Sequence, residues 1–280
     1  MHTAQGEFRG ARAMSTYYQT WQPDGAARAL VIVAHGAAEH SGRYEGLAQF
    51  LTARGFAVAA LDHAGHGRSD GTPGFVESFD DFVETLHFFR IELQGIAEGT
   101  PRFLLGHSMG GLIAANYLLK YQDGLAGCAL SGPAIATDVQ PGFFQLLMVR
   151  LLSLVAPRTG ALQLDAEGVS RDPAEVAKYR ADPMVYTGEL SARLVAEIFR
   201  SMNTAQQRAA EIHLPMLIMH GSEDVLTAPS GSEFLHEHIA SEDKVLKIYP
   251  GLYHEIFNEP EKEAVMEELA QWLEQHLPAA

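Results

Sequence analysis

Phe103-Leu104-Leu105-Gly106-His107-Ser108-Met109-Gly110-Gly111 decides how this chain is read. An apolar run suited to a strand enters Gly-x-Ser-x-Gly, and Gly110–Tyr121 continues with helical spacing. A strand that turns at once into a helix leaves no room for side chains two before and two after the apex, which is why both positions are glycine. The serine then stands out from the turn, and the N–H of Met109, at the start of the helix, points to where negative charge would develop on a substrate oxygen. Ser108 is therefore the candidate nucleophile.

Outward from this elbow, short runs apolar on both faces alternate with amphipathic segments. Arg28–His35, Phe56–Leu61, Phe103–Gly106, Leu125–Ser131, Met216–Gly221 and Val245–Tyr249 are too short for buried helices, end in turn residues, and are expected to be buried parallel strands. Tyr44–Arg54, Phe79–Ile96, Gly110–Tyr121 and Pro260–His276 are the expected helices between and after them. The alternation predicts an α/β fold with a mostly parallel central sheet flanked by helices. From Pro133 to Ile212 the rhythm stops: there are helical stretches but no strand, and two Asp-Pro breaks. This is expected to be a helical cap inserted over the strand ends, dividing the chain into core 1–132, cap 133–212 and core 213–280. The first fourteen residues contain no long apolar run and are expected to be a frayed leader without a secretory signal.

A serine needs a base. Of thirteen histidines, His254 follows the last expected strand and precedes the last helix. In hydrolases built on this elbow the chain order is Ser, acid, His. Asp224, in His220-Gly-Ser-Glu-Asp after the strand that follows the insertion, is the expected acid, preferred to Glu223. Its role would be to fix the His254 tautomer and stabilise the imidazolium. Asp62 also ends a strand, but it precedes Ser108 and is expected to be structural. The loop His35-Gly36-Ala37-Ala38-Glu39-His40 ends an early strand and offers the Ala37 N–H as a second oxyanion donor beside Met109.

The chemistry expected from these residues needs no cofactor. The histidine-rich runs lack cysteine and the His-Glu-x-x-His spacing, so no metal site is expected, and no phosphate-binding glycine loop is present. The lone cysteine, Cys128, sits in an apolar run and is expected to be a small buried hydrophobe. A net charge of -15 argues against nucleic acid and against electrostatic docking on anionic membranes. No stretch approaches about 20 apolar residues, so no transmembrane helix is expected. The expected location is the cytoplasm, or the periphery of a membrane.

Read in order, HGAAEHSGRY (His35–Tyr44), LDHAGHGRSDG (Leu61–Gly71), GHSMGG (Gly106–Gly111), LSGPAI (Leu130–Ile135), HGSEDVLT (His220–Thr227) and YPGLYHEIFNEPEKEAV (Tyr249–Val265) resemble the monoacylglycerol lipase family, lysophospholipase-like serine hydrolases of the α/β-hydrolase fold. The resemblance covers nearly the whole chain and is weakest in the cap. It implies Ser108, Asp224 and His254 as the triad, Ala37 and Met109 as oxyanion donors, and an apolar acyl tunnel beneath a helical cap. It also implies a polar pocket for glycerol, where Glu39 is a candidate; a buried carboxylate pairing with Arg43 or a backbone N–H is the equal alternative. The family cap is thought to touch membranes, which makes Phe143, Phe144, Leu146, Leu147, Met148, Leu151 and Leu152 candidates for that contact, but helix residues apolar all round are expected to be core or tunnel. The family often has Gly where Ala38 stands. The function implied is hydrolysis of carboxylic esters, monoacylglycerols first, through an acyl-enzyme on Ser108. The alternatives are a broad carboxylesterase or lysophospholipase, then an aminopeptidase, a thioesterase, or a binding module that has lost catalysis.

Overall fold

The apolar runs become the strands of one twisted sheet. The computed structural model describes residues 1–137 and 143–278, with side chains for all of these except 143–146. In chain order the strands are β1 (His2–Arg9), β2 (Ser15–Gln22), β3 (Ala29–Ala34), β4 (Phe56–Leu61), β5 (Arg102–His107), β6 (Gly127–Ser131), β7 (Gly160–Leu162), β8 (Leu190–Ser191), β9 (Met216–Gly221) and β10 (Lys244–Tyr249). The helices are α1 (Glu45–Thr52), α2 (Phe79–Glu92), α3 (Met109–Tyr121), α4 (Phe143–Val155), α5 (Pro173–Ala181), α6 (Ala192–Gln207), α7 (Pro229–His238) and α8 (Lys262–Gln275).

The large sheet has the order β1-β2-β4-β3-β5-β6-β9-β10. Every pairing from β4 to β10 is parallel, while β1 and β2 are antiparallel to each other and β2 to β4. Residues of β3 alternate between two cores. Leu30 and Ile32 pack with Leu86, Phe89, Leu112 and Ile113 on one face. Val31 and Val33 pack with Leu47, Leu51, Leu269 and Trp272 on the other. Burial on both faces explains why these strands read as unbroken apolar runs. The chain passes from β3 to β4 on one side, then returns to place β5 on the other. That reversal opens a crevice at the carboxyl ends of β3 and β5, where ligands of such sheets bind.

Three expectations need correction. The first fourteen residues are not a frayed leader: β1 pairs along its length with β2, from His2 opposite Gln22 to Arg9 opposite Ser15. As an edge strand it buries only Phe8, so its sequence carries little apolar signal. The insertion does contain strand, a short antiparallel pair between β7 and β8. Finally, α4 is not buried all round. Leu147, Met148 and Leu151 are each at least half exposed, and Leu154 and Val155 more so. The expectation of core or tunnel fails for Leu147, Met148 and Leu151, because α4 packs against α6 and leaves these side chains in water; Leu152 is half-buried. The side chains of Phe143, Phe144 and Leu146 lie outside the described ones.

Candidate active site

Ser108 sits between β5 and α3 with φ 54° and ψ −120°, a region that side-chain-bearing residues rarely occupy. Neighbours hold it there. Its N–H donates to Ser131 O at 3.0 Å, and its carbonyl accepts from Ala134 N at 3.0 Å and Leu112 N at 3.1 Å. The two elbow glycines are required by space. A Cβ on Gly106 would lie 2.5 Å from Gly110 O, and one on Gly110 would lie 2.0 Å from Ala34 O. Met109 is the first residue of α3, so its N–H has no partner within the helix.

The second loop at this crevice follows β3. Ala38 has φ 66°, the left-handed region where glycine is the usual residue. Its carbonyl accepts the N–H of Tyr186 at 2.8 Å, so the segment between α5 and β8 pins the loop. Gly36 N–H donates to Glu39 Oε1 at 2.6 Å. His35 Nε2 accepts the N–H of His63 at 2.9 Å. Ala37 is thus held between two tethered residues and lines the same cavity as Ser108 and Met109.

His254 follows β10, and its Nδ1 lies 2.6 Å from Asp224 Oδ2. Burial would lower the pKa of this imidazole, but the charge and hydrogen bond of Asp224 outweigh it and hold the pKa above the ordinary value. Asp224 Oδ1 accepts Leu226 N at 2.8 Å and Thr227 N at 3.0 Å. Its Oδ2 also receives Thr227 Oγ1 at 2.9 Å. Burial opposes ionisation of Asp224, yet the charge of His254 and the hydrogen bonds from His220 and His254 keep the carboxyl well below the usual range. The structure brings Asp224 to His254, while Glu223 in the same turn is exposed. Asp62 is elsewhere, accepting Ser41 N and Arg68 N at 2.8 Å each and tying two loops together.

Glu39 is buried and occupied. Besides Gly36 N–H, its Oε1 accepts from Tyr44 Oη at 2.8 Å, and Arg43 Nη1 reaches its Oε2 at 3.1 Å. Burial alone would raise this carboxyl; the Arg43 guanidinium, with His107 and His35, brings it down to about 2. These contacts are those of the buried carboxylate left open as an alternative, although Glu39 also lines the cavity. Arg43 in turn holds Glu255 with two bonds of 2.5 and 2.8 Å, and its guanidinium lies 4.7 Å from the Tyr179 ring of α5. Residue by residue, the loop after β3, the residue after His254 and α5 meet on one guanidinium.

The cavity, about 120 Å³, is lined on the α6 side by Leu190, Val195, Ile198, Phe199 and Met202, and further by Leu164 and Leu226. Sequence reasoning missed His107, which lines it and whose ring centroid is 4.7 Å from that of His254. Burial, then the His254 charge, lower His107 to about 4, so it is neutral beside the pair. It also missed Glu255 and His220. The signal for the first was its place next to His254, and for the second its place four residues before Asp224. Cys128 is buried, which pushes its thiol pKa up. Among the described residues no group of three or more His, Cys, Asp or Glu is placed to hold a metal ion.

Comparison with known proteins places this geometry. The profile of the family described as "Serine aminopeptidase, S33" matches residues 25–261. The chain is 41% identical over 278 residues to a monoacylglycerol lipase of Mycolicibacterium smegmatis, covering 98% of each chain. It is 35% identical over 263 residues to the monoglyceride lipase of Homo sapiens, covering 93% of this chain and 87% of that one. Among solved structures, a monoacylglycerol lipase of Paleococcus ferrophilus superposes with a TM-score of 0.82 at 32% identity, covering 99% of this chain and 100% of that one. A soluble variant of monoglyceride lipase from Saccharomyces cerevisiae, in complex with a substrate analog, superposes with a TM-score of 0.87 at 27% identity, covering 100% of this chain and 97% of that one. With the elbow, the sheet order and these relatives together, the chain belongs to the monoacylglycerol lipase family of α/β-hydrolases.

Proposed function

We propose that the protein hydrolyses monoacylglycerols to fatty acid and glycerol, with Ser108 as nucleophile, His254 as base and acid, and Asp224 as the carboxylate behind it. One observation carries the reading: the buried Asp224–His254 pair, 2.6 Å apart, opens onto the cavity that holds Ser108 and is otherwise mostly apolar. His254 Nε2 takes the Ser108 hydroxyl proton as Oγ attacks the ester carbonyl. The oxyanion is met by the N–H groups of Ala37 and Met109, and His254 then returns the proton to the departing glycerol oxygen. Water activated by the same imidazole releases the fatty acid from Ser108.

The acyl chain suits the Val195, Ile198, Phe199 and Met202 wall of α6, and 133–212 acts as the cap. The two carboxylates lining the cavity, Glu39 and Glu255, are both bonded to Arg43. Neither is free to receive a substrate amino terminus, which supports an ester over a peptide. Positioning the Gly36–Ala38 loop is the role we assign to Glu39, in place of contact with glycerol.

The cap brings this site to lipid through α4. Leu147, Met148, Leu151, Leu154 and Val155 recur at helical spacing and are 50–74% exposed. A negatively charged chain gains this contact from apolar burial and not from attraction to anionic headgroups. Among the described residues no helix is long and apolar enough to cross a membrane. The test is fatty-acid release from monoacylglycerols of graded length beside lysophospholipid and triacylglycerol, with Ser108→Ala as control. Release from monoacylglycerols that is lost in Ser108→Ala is expected. Ser108-dependent turnover of small soluble esters only would keep the mechanism and discard the lipid substrate.

A further inference from the structure

We infer that His220 is a positioning residue for the carboxylate of the triad: a second imidazole that donates to Asp224 opposite His254, in a tautomer set by Ser232. The inference rests on Asp224 being the acid, as proposed above. His220 is the penultimate residue of β9 and is fully buried. Its Nε2 lies 3.0 Å from Asp224 Oδ2 and 3.3 Å from both the carbonyl oxygen and Oγ1 of Thr227. The carboxylate and the carbonyl only accept, and the Thr227 hydroxyl directs its proton to Asp224 Oδ2, so His220 Nε2 carries the proton. Nδ1 is then the lone pair, and it faces Ser232 Oγ of α7 at 2.7 Å, which donates to it. A chain of donation results: Ser232 to His220, and His220 to Asp224, whose Oδ2 also accepts from His254.

The consequence is geometric. Asp224 Oδ1 is held by two backbone N–H groups, and Oδ2 faces His254 on one side and His220 on another. Rotation about the bond to the carboxylate would break contacts at both oxygens at once. The carboxylate is therefore aimed at His254 Nδ1 before substrate arrives, and the angular tolerance of the catalytic base narrows with it. The His220 N–H also takes a further share of the negative charge that acts on His254. Taking that donor away leaves Asp224 a stronger partner for imidazolium, so His254 holds its proton to higher pH. The other groups around His254 are His107, Glu255 and Glu39. None of them bonds to His220 or Ser232 among the described contacts, and Thr227 Oγ1 lies 3.3 Å from both His220 Nε2 and His254 Nδ1, so a change that starts at His220 reaches His254 through Asp224 and the Thr227 hydroxyl bonded to it.

The experiment compares His220→Leu, His220→Gln and Ser232→Ala with the wild type and with Asp224→Asn. Turnover of the water-soluble ester p-nitrophenyl butyrate is followed across pH, and folding is checked by circular dichroism and thermal melting. His220→Leu is expected to lose about tenfold to a hundredfold in kcat, the usual weight of a hydrogen bond to a charged group, with KM within about twofold. The acid limb of its kcat/KM profile moves to higher pH. His220→Gln, whose amide N–H can donate to the same oxygen, recovers most of the loss, and Ser232→Ala shifts both quantities the same way by less. A folded His220→Leu with wild-type kcat and an unmoved acid limb overturns the inference. If His220→Leu does not fold, wild-type kcat and limb in Ser232→Ala overturn it instead. Wild-type turnover in Asp224→Asn would overturn the assignment of the acid itself, and is distinguishable because it does not depend on His220.

Discussion

Removing Arg43 should destabilise the protein by about 3 kcal/mol at neutral pH, and the loss should shrink as the pH falls. Arg43 is 10% exposed and lies between Glu255 at 2.5 Å and Glu39 at 3.1 Å, themselves 6% and 4% exposed. The magnitude follows from Glu39, whose pKa falls from 4.5 to about 2 in the folded chain. With 1.36 kcal/mol for each pKa step, that depression is worth about 3 kcal/mol above the unfolded pKa. It lies within the range of about 3–5 kcal/mol for breaking a buried ion pair by removing one partner. Arg43→Met keeps most of the stem and deletes the charge. Glu39 then stays buried without its cation, and burial drives its folded pKa above the unfolded value. A raised carboxyl pKa costs stability above that pKa and costs nothing below the unfolded one, so the penalty is full at pH 8 and fades toward pH 4.5. The wild type behaves oppositely: the contribution of Glu39 is present above 4.5 and is lost only as the pH falls toward 2. Urea unfolding of both proteins at pH 8, 7 and 5 reads the difference. A gap that is equal at pH 8 and pH 5, or under about 1 kcal/mol at pH 8, would refute the reasoning and make the cluster no stronger than a surface pair.

Two further outcomes test other parts of the structure. Gly110→Ala would place a Cβ 2.0 Å from Ala34 O and 2.5 Å from Ala34 C, and backbone on the central strand has little room to retreat. The expected result is misfolding or a melting temperature lower by about 10 °C, against a small change in Ser108→Ala; a wild-type melting temperature in Gly110→Ala would refute the packing argument. On α4, Leu151→Glu with Leu154→Glu should weaken binding to zwitterionic phosphatidylcholine vesicles by roughly tenfold or more, since the exposed part of each leucine offers about 1 kcal/mol of burial. Turnover of p-nitrophenyl butyrate should stay unchanged. Flotation with vesicles decides it, and undiminished binding would show that α4 does not face lipid.

The sequence disclosed those parts of the protein whose physics is local. The elbow needs two glycines and a flanking strand and helix, all within ten residues, and the buried strands announce themselves because both faces are apolar. What stayed hidden depended on distant partners. β1 alternates only weakly because water covers most of it, and its identity lies in the register with β2. The apolar residues of α4 look alike in a list, and only the packing against α6 tells which face is bare. Asp224 stands out by its place after a strand, while His220 reads only as the end of that strand. Its partner Ser232 is twelve residues further on, with no spacing rule to connect them. Arg43 and Glu255, 212 residues apart, could be joined only in space.

The two places where the backbone departs from comfortable geometry show why the elements around the site are arranged this way. Ser108 at φ 54° and Ala38 at φ 66° are both side-chain-bearing residues in the left-handed region, and each costs of order 1–3 kcal/mol if left to itself. They end or follow the adjacent strands β5 and β3, on either side of the crevice made by the reversal of strand order. Each is held by bonds from segments outside its own turn. Ser108 is tied to β6 and to the segment just after it through Ser131 O and Ala134 N, and Ala38 to the residues before β8 through Tyr186 N. Strain of this kind persists only when the surroundings over-determine it, so the ties are part of the site. Loss of the Ala38–Tyr186 bond would relax the loop that presents Ala37, without touching Ser108, Asp224 or His254. On the role proposed for Ala37, sequence variation around Tyr186 therefore changes how well an oxyanion is met, even where Ser108, Asp224 and His254 are all kept.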